Sequence, residues 1–227
     1  MSLADIQTLV DDLVRDRDQV VASDQRDAAI TAALAQYSSD RPRAVVVDAV
    51  SSGGQRIDLP AGFTDESQLL GIEFPVGEIP PSQLPMADIS IYSAPTVRQV
   101  DLPVWTQPAD TLRMTYTAAH LLDDTDDTVP ARHRQALASL AASIVCGQLA
   151  SYYATEGEPS IQADTVDYKD KSQRFRLRQK DLAADYTRIV GPAPSDRAQP
   201  ASVTVPLQRN DSLGGRRLFH PTRYWPR

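Results

Sequence analysis

Apolar positions recur at helical spacing in the first forty or so residues and then give way to alternation. Leu3, Ile6, Leu9, Val10 and Leu13 form one stripe, which predicts a helix over 3–15. A second helix is expected from Ser23 or Asp24, each a credible N-cap, with Ala28, Ile30, Ala33, Leu34 and Tyr37 on its buried side. Ser38-Ser39-Asp40-Arg41-Pro42 ends it, because proline cannot continue the helix and restricts the residue before it. From Arg43 the chain turns β-branched. Ala44–Val50, the Ser51-Ser52-Gly53-Gly54 turn and Gln55–Pro60 read as a hairpin. Further strands are expected at 69–75, 88–93, 96–102 and 111–117. In the last, Leu112, Met114 and Tyr116 alternate with Arg113 and Thr115, as in a half-buried strand. Prolines at 75, 80, 81, 85, 95, 103 and 108 argue against long central strands.

Helical spacing returns after the acidic loop Asp123–Pro130 and runs to about Ala154. Leu137, Leu140, Ala141, Ile144, Val145, Leu149 and Tyr152 give a wide apolar face, and four alanines at 136, 138, 142 and 150 allow close approach by a neighbour. A last helix is expected from Asp164 to Val190, stopped by Gly191-Pro192. Its stripe is narrow: Tyr168, Phe175, Leu182 and Ile189 repeat every seven residues, with Tyr186 between the last two. Residues 191–227 hold six of the 17 prolines and six arginines. Ala201–Leu207 is the one strand-like stretch there, and the segment cannot build a core by itself.

Composition narrows the picture. With 227 residues and 41% hydrophobic content the chain can bury a real core. One cysteine, Cys146, excludes an internal disulfide or a multi-cysteine metal site and fits a reducing compartment. The N-terminus lacks a basic secretory n-region, and no apolar run approaches the ~20 residues of a membrane span, so a soluble protein is expected. The formal charge of -7 is uneven: residues 1–130 carry -13 and residues 131–227 carry +6. Such polarity suits copies that associate side by side or stack end to end, and exposed charge that merely differs by segment accounts for it equally. Lys169, Lys171, Arg174, Arg176, Arg178 and Lys180 spread around the last helix, as a solvated surface, a contact for phosphates or a match for an acidic neighbour.

Chemistry is scarce. Nucleophile-elbow, phosphate-loop, metalloprotease and dinucleotide motifs are all missing from the sequence. His120 and His133 with Asp123, Asp124, Asp126 and Asp127 are the candidates for a cation site. The calcium-loop template fails, however: Val129 and Gln135 stand where it needs glycine and glutamate. An acidic loop at a helix N-terminus accounts for the same residues. Cys146 is expected as a buried thiol. No catalytic, cofactor-binding or metal residue is assigned, no cofactor is expected, and the chain is not expected to be an enzyme.

The order of parts carries a resemblance. Ala33–Arg43 reads A-x-x-x-Y-S-x-D-R-P-R and precedes a proline-rich β region. R-M-T-Y-T-A-A-H (Arg113–His120), an acid/threonine loop with Val129-Pro130, L-A-S-Y-Y-A (Leu149–Ala154) and D-Y-K-D-K-S-Q-R-F-R-L-R (Asp167–Arg178) follow. Over about residues 1–190 this layout resembles the head-to-tail adaptor, or neck connector, proteins of tailed bacteriophages. The resemblance implies an α+β protomer: a helical core of about four helices, a small inserted antiparallel β domain and an extended C-terminal arm. The divisions expected are 1–43 for the first helix pair, 44–118 for the β insertion, 119–190 for the two long helices and 191–227 for the arm. It further implies a virion protein made in the host cytoplasm. Its copies would form a homo-oligomeric, commonly dodecameric, ring in the neck, joining the portal protein to the tail or next neck protein while genomic DNA passes through the lumen without sequence-specific binding. No membrane partner is expected. Arms of this kind anchor to the portal, and Arg216, Arg217, Leu218, Phe219, Arg223, Tyr224, Trp225 and Arg227 match that role in chemistry. The alternatives are a tail- or head-completion protein at another level of the neck and, more distantly, a carboxylate-dependent metal enzyme.

Overall fold

The computed structural model describes residues 2–16, 18–94, 97–155 and 165–192, with side chains of the final helix from Lys171 onward. Four α-helices and two small antiparallel sheets make up this part, an α+β arrangement. Helix α1 (Leu3–Val14) starts at Ser2, whose N–H donates to Asp5 Oδ2 at 2.8 Å, and buries Ile6, Val10 and Val14 along one line. Helix α2 (Ser23–Asp40) is capped at Ala22 and not at Ser23 or Asp24. The Gln25 side chain reaches back to the Ala22 N–H at 3.1 Å, so no hydroxyl or carboxylate is needed at the cap. Its buried face is Ala29, Ile30, Ala33, Tyr37 and Ser38; Ala28 lies one position out of phase and is exposed.

Helix α3 (Arg134–Thr155) follows a single 3₁₀ turn at Ala131–His133, so Pro130 lies just ahead of the helical residues. It buries Ala136, Leu137, Ala138, Ser139, Ala141, Ala142, Ser143, Val145, Cys146, Leu149, Ala150 and Tyr153. That set covers more than one face because α1, α2 and α4 (Thr165–Val190) all pack on α3, while α1 and α2 meet through polar side chains, Arg26 with Asp11 at 2.6 Å and Gln7 with Asp27 at 2.8 Å. Alanines, serines and Gly147 make room for three neighbours; a Cβ at position 147 would meet the Gln179 amide at 2.9 Å. Tyr153, not Tyr152, closes the core, since Tyr152 is 41% exposed. The stretch Ala131–Thr155 is, against expectation, long and apolar enough to cross a membrane, yet 67% of its most apolar part is buried inside the protein. Helix α4 buries Leu182, Tyr186 and Val190, with Phe175 and Ile189 packed beside them. It ends at Gly191, whose φ of +75° and N–H to Thr187 O (2.8 Å) form a left-handed stop.

The strands are β1 (Arg43–Val50), β2 (Gly54–Asp58), β3 (Leu69–Glu73), β4 (Ser90–Ser93), β5 (Arg98–Thr106) and β6 (Thr111–Ala118). One sheet has the order β1-β6-β3, the other β2-β5-β4. The expected β1–β2 hairpin does not form: β1 pairs with β6 along its whole length, and β2 with β5. Positive φ at Gly53 (96°) and Gly54 (109°) turns the chain away into the second sheet. The β5–β6 connection crosses beside it, with Ser51 N donating to Asp110 O (2.8 Å) and Ala109 N to Ser51 O (2.9 Å). Strand β5 also runs through Pro103, four residues beyond the expected end. Pro103 is tolerated because β4 reaches only residues 98–101 and the β2 register shifts opposite it. Both sheets feed one core, with Ile57, Val100 and Leu102 from the second meeting Ile72, Leu112 and Met114 from the first.

The bundle core is separate and centres on α3, where Leu149 is fully buried. Leu149→Ala is expected to cost about 2–5 kcal/mol of unfolding free energy, read from urea denaturation, with the secondary structure retained in buffer.

Candidate interaction surfaces

A polar joint ties the helices to the first sheet. Tyr37, Ser38, Asp40 and Arg41 lie at the end of α2 because the helix must stop before Pro42. His120 follows β6 directly, and its N–H donates to Ser38 Oγ at 2.9 Å. Each of its ring nitrogens faces a backbone carbonyl: Nδ1 is 3.0 Å from Thr128 O and Nε2 is 2.9 Å from Arg41 O. Tyr37 Oη and His133 Nδ1 are hydrogen-bonded at 2.6 Å, and the Tyr37 ring lies against both imidazoles. Tyr186 on α4 donates to Asp40 Oδ2 at 2.5 Å. The Arg41 guanidinium donates to the carbonyl of Val190 and, at 3.3 Å, to that of Pro192. The point where the chain leaves α4 is therefore fixed two residues from the start of β1. Burial foremost, with Arg132, Arg41 and His120 adding to it, holds His133 below the ordinary histidine value, while burial raises Tyr37 and Tyr186.

The residues weighed for a cation site are not brought together. Asp123 Oδ1 accepts from Thr125 N (2.8 Å), Thr125 Oγ1 (2.9 Å) and Asp126 N (2.6 Å), and these hydrogen bonds lower its pKa. Asp127 accepts from Val129 N at 2.9 Å and pairs with Arg134 at 2.6 Å in the first turn of α3. His120 and His133 point into the joint. Among the described residues no group of three or more His, Cys, Asp or Glu could hold a metal. Cys146 is fully buried, and burial pushes its thiol up to about 11.

Five cations of the basic run on α4 divide between two clefts, and the Lys169 side chain lies outside the described residues. Lys171, Arg174 and Arg178 line one of ~480 Å³ with Arg15, Asp16, Asp18, Tyr153 and Phe175. There Tyr153 Oη donates to Asp18 Oδ2 at 2.7 Å, and Lys171 approaches the same carboxylate at 3.5 Å. Tyr153 stacks on Phe175 with 5.6 Å between ring centroids. The Tyr153 hydrogen bond and then the Lys171 charge lower the Asp18 pKa. Arg176 and Lys180 line a second cleft of ~860 Å³ with Ile144, Gln148 and Ser151 of α3. Between the two, Leu177 is 61% exposed.

A further surface was not legible in the sequence. Among the described residues strand β1 is the outer strand of its sheet, and Val46 and Val50 on its outward face are 56% and 68% exposed. The Ser51 N–H to Asp110 O and Thr117 N–H to Gln68 O bonds set the ladder phase. In the β1–β6 register, Arg43, Val45, Val47 and Ala49 bond to β6, whereas Ala44, Val46, Asp48 and Val50 aim their backbone groups away from it. The sequence pattern hid this edge because β1 looked already paired with β2. Arg113 bridges the outward face, with Nε to Asp48 Oδ1 at 2.7 Å and Nη1 to Glu73 Oε2 at 3.7 Å. The partner-binding residues expected in the arm, Arg216, Arg217, Leu218, Phe219, Arg223, Tyr224, Trp225 and Arg227, lie outside the described residues.

No protein-family model and no curated protein matches the chain.

Depression of the His133 pKa has a definite sign. The unfolded chain binds this proton more readily than the folded one, so the stabilisation is full above the ordinary histidine value of 6.5 and is lost as pH falls below it. The urea midpoint is expected to drop between about pH 7.5 and about pH 5.5. His133→Gln is expected to flatten that drop; an unchanged slope in the variant would assign it elsewhere.

Proposed function

We propose that the chain is a structural, non-catalytic virion protein of the head-to-tail adaptor type. Its copies form a ring, dodecameric in the commonest arrangement, beneath the portal protein and continue the DNA channel toward the tail or next neck protein. The observation that carries this reading is the construction of α4. It buries one stripe (Leu182, Tyr186, Val190) on α3 and leaves Arg174, Arg176, Leu177 and Lys180 exposed. A helix so placed has a cationic outer face with an apolar residue set in it, which suits a lateral contact with an acidic surface. The acidic surplus of residues 1–130 supplies such a surface on the next copy. In a closed ring every copy offers both faces, so the contact is heterologous and repeats around the axis. Net negative charge also suits a conduit, since DNA slides past a wall that does not bind its phosphates.

The C-terminal aromatic and arginine residues serve as the anchor to the portal in this proposal. A tail- or head-completion role at another level of the neck rests on the same features and differs only in which neighbour the protein meets.

Chemical cross-linking of intact particles, followed by peptide identification, tests the reading: links from this chain to itself and to the portal are expected. Absence of the chain from the particle neck would reject it. Deletion of residues 213–227 is expected to leave helicity unchanged and to abolish joining of heads to tails; full assembly by the shortened chain would remove the anchoring role.

A further inference from the structure

Two oppositely charged features sit at opposite ends of α3, too far apart to meet within one copy. The first is the ~480 Å³ cleft lined by Arg15, Lys171, Arg174 and Arg178, with Asp16 and Asp18 as its carboxylates. Among the described residues four cations stand there against two acids, a local surplus of +2. Both acids are engaged: Asp16 Oδ2 accepts from Val21 N at 2.9 Å, and Asp18 Oδ2 from Tyr153 Oη at 2.7 Å. Lys171, Arg174 and Arg178 follow one another at spacings of three and four, so they share one face of α4. Arg15, at the end of α1, lines the cleft with them.

The second feature is the loop Asp123–Asp127. Its Asp123 carboxylate holds the loop backbone, and its Asp127 carboxylate pairs with Arg134. The carboxylates of Asp124 and Asp126 take no part in that network, and both residues are exposed. The Asp127–Arg134 pair sets this loop at the first turn of α3, whereas Tyr153 sets the cleft at its last turn. The rise of α3 from Arg134 to Tyr153 is about 29 Å. An aspartate side chain reaches a few ångströms, so the loop cannot fill the cleft of its own copy.

We propose that the Asp123–Asp127 loop of one copy seats in the cleft of the next, where Asp124 and Asp126 meet Arg15, Lys171, Arg174 and Arg178. Opposite charge draws the two surfaces together and disfavours loop-to-loop and cleft-to-cleft contacts. Tyr153 and Phe175, stacked at 5.6 Å, add an aromatic wall beside which ion pairs are less screened than in open water. The contact joins different patches on the two copies, so each addition leaves one loop and one cleft free until the series closes on itself. It gives the copy-to-copy contact of the adaptor reading, on which it rests, a defined pair of surfaces. That reading is judged on particles, so a loop-to-cleft contact absent in solution ends this inference alone.

Light scattering of the purified full chain over a range of concentrations tests the contact with two charge reversals. Arg15→Glu with Arg174→Glu turns the cleft negative, and Asp124→Lys with Asp126→Lys turns the exposed tip of the loop positive. All four residues are exposed, and circular dichroism with urea denaturation checks the fold of each variant. The unaltered chain is expected to self-associate at low salt and to dissociate as salt rises. Each variant alone is expected to associate about tenfold or more weakly. Mixed in equal amounts, the two are expected to regain association, because each cleft then meets a loop of opposite sign. An unaltered chain that stays monomeric at millimolar concentration and low salt would overturn the proposal. So would a variant that associates like the unaltered chain, or a mixture no stronger than its components. Binding of a single-stranded oligonucleotide, lost in the cleft variant while the loop reversal leaves self-association unchanged, would overturn it too and give the cleft to nucleic-acid phosphates.

Discussion

The fold depends on α3 being buried on several sides at once. A helix that meets three others cannot carry large side chains all round, because helix axes packed 8–10 Å apart leave space for alanine and serine on the flanks and leucine only at the centre of each contact. The sequence obeys this: Ala136, Ala138, Ala141, Ala142 and Ala150 alternate with Leu137, Val145 and Leu149, and Gly147 admits Gln179. Small residues also give little apolar area each, so stability must come from many close contacts and not from a few large ones. The helix that results is apolar enough for a membrane yet is the core of a bundle.

Around that hub the polar joint does a different job. It fixes angles. Ser38, Arg41 and Asp40 at the end of α2 bind His120 after β6 and Tyr186 on α4, so the sheets are attached through hydrogen bonds and not through a shared apolar layer. The two hydrophobic clusters remain distinct. Directional bonds of this kind hold the start of β1 and the end of α4 together.

Element type was largely legible because periodicity was strong. Alternation in Leu112, Met114 and Tyr116 gave β6, and the stripe through Ile6 and Val10 gave α1. What pattern could not show was pairing. Ser51-Ser52-Gly53-Gly54 has the chemistry of a hairpin turn, yet the two glycines carry the chain into another sheet, and the partners of β1 residues lie 61 to 75 positions further along. Loop residues supply no signal for such long-range choices. The cap of α2 failed for a related reason, since the group that binds the Ala22 N–H comes from Gln25 within the helix. In the acidic loop, the Asp123 carboxylate serves its own turn and Asp127 pairs with Arg134. The arm residues from Arg216 to Arg227 lie beyond the described part.

Charge separation along the chain acquires a location in this arrangement. Part of it is spent internally, as Lys171 and Tyr153 hold Asp18, while Arg176 and Lys180 of α4 line the other cleft. The central claim is that this face and the acidic one close copies into a ring in the particle neck. A symmetry-resolved electron-microscopy reconstruction of the neck measures it most directly. The account predicts a ring under the portal whose repeating density accepts the α3-centred bundle with α4 turned toward the adjacent copy. A neck whose layers are fully explained by other chains, with no density of this shape, would contradict it.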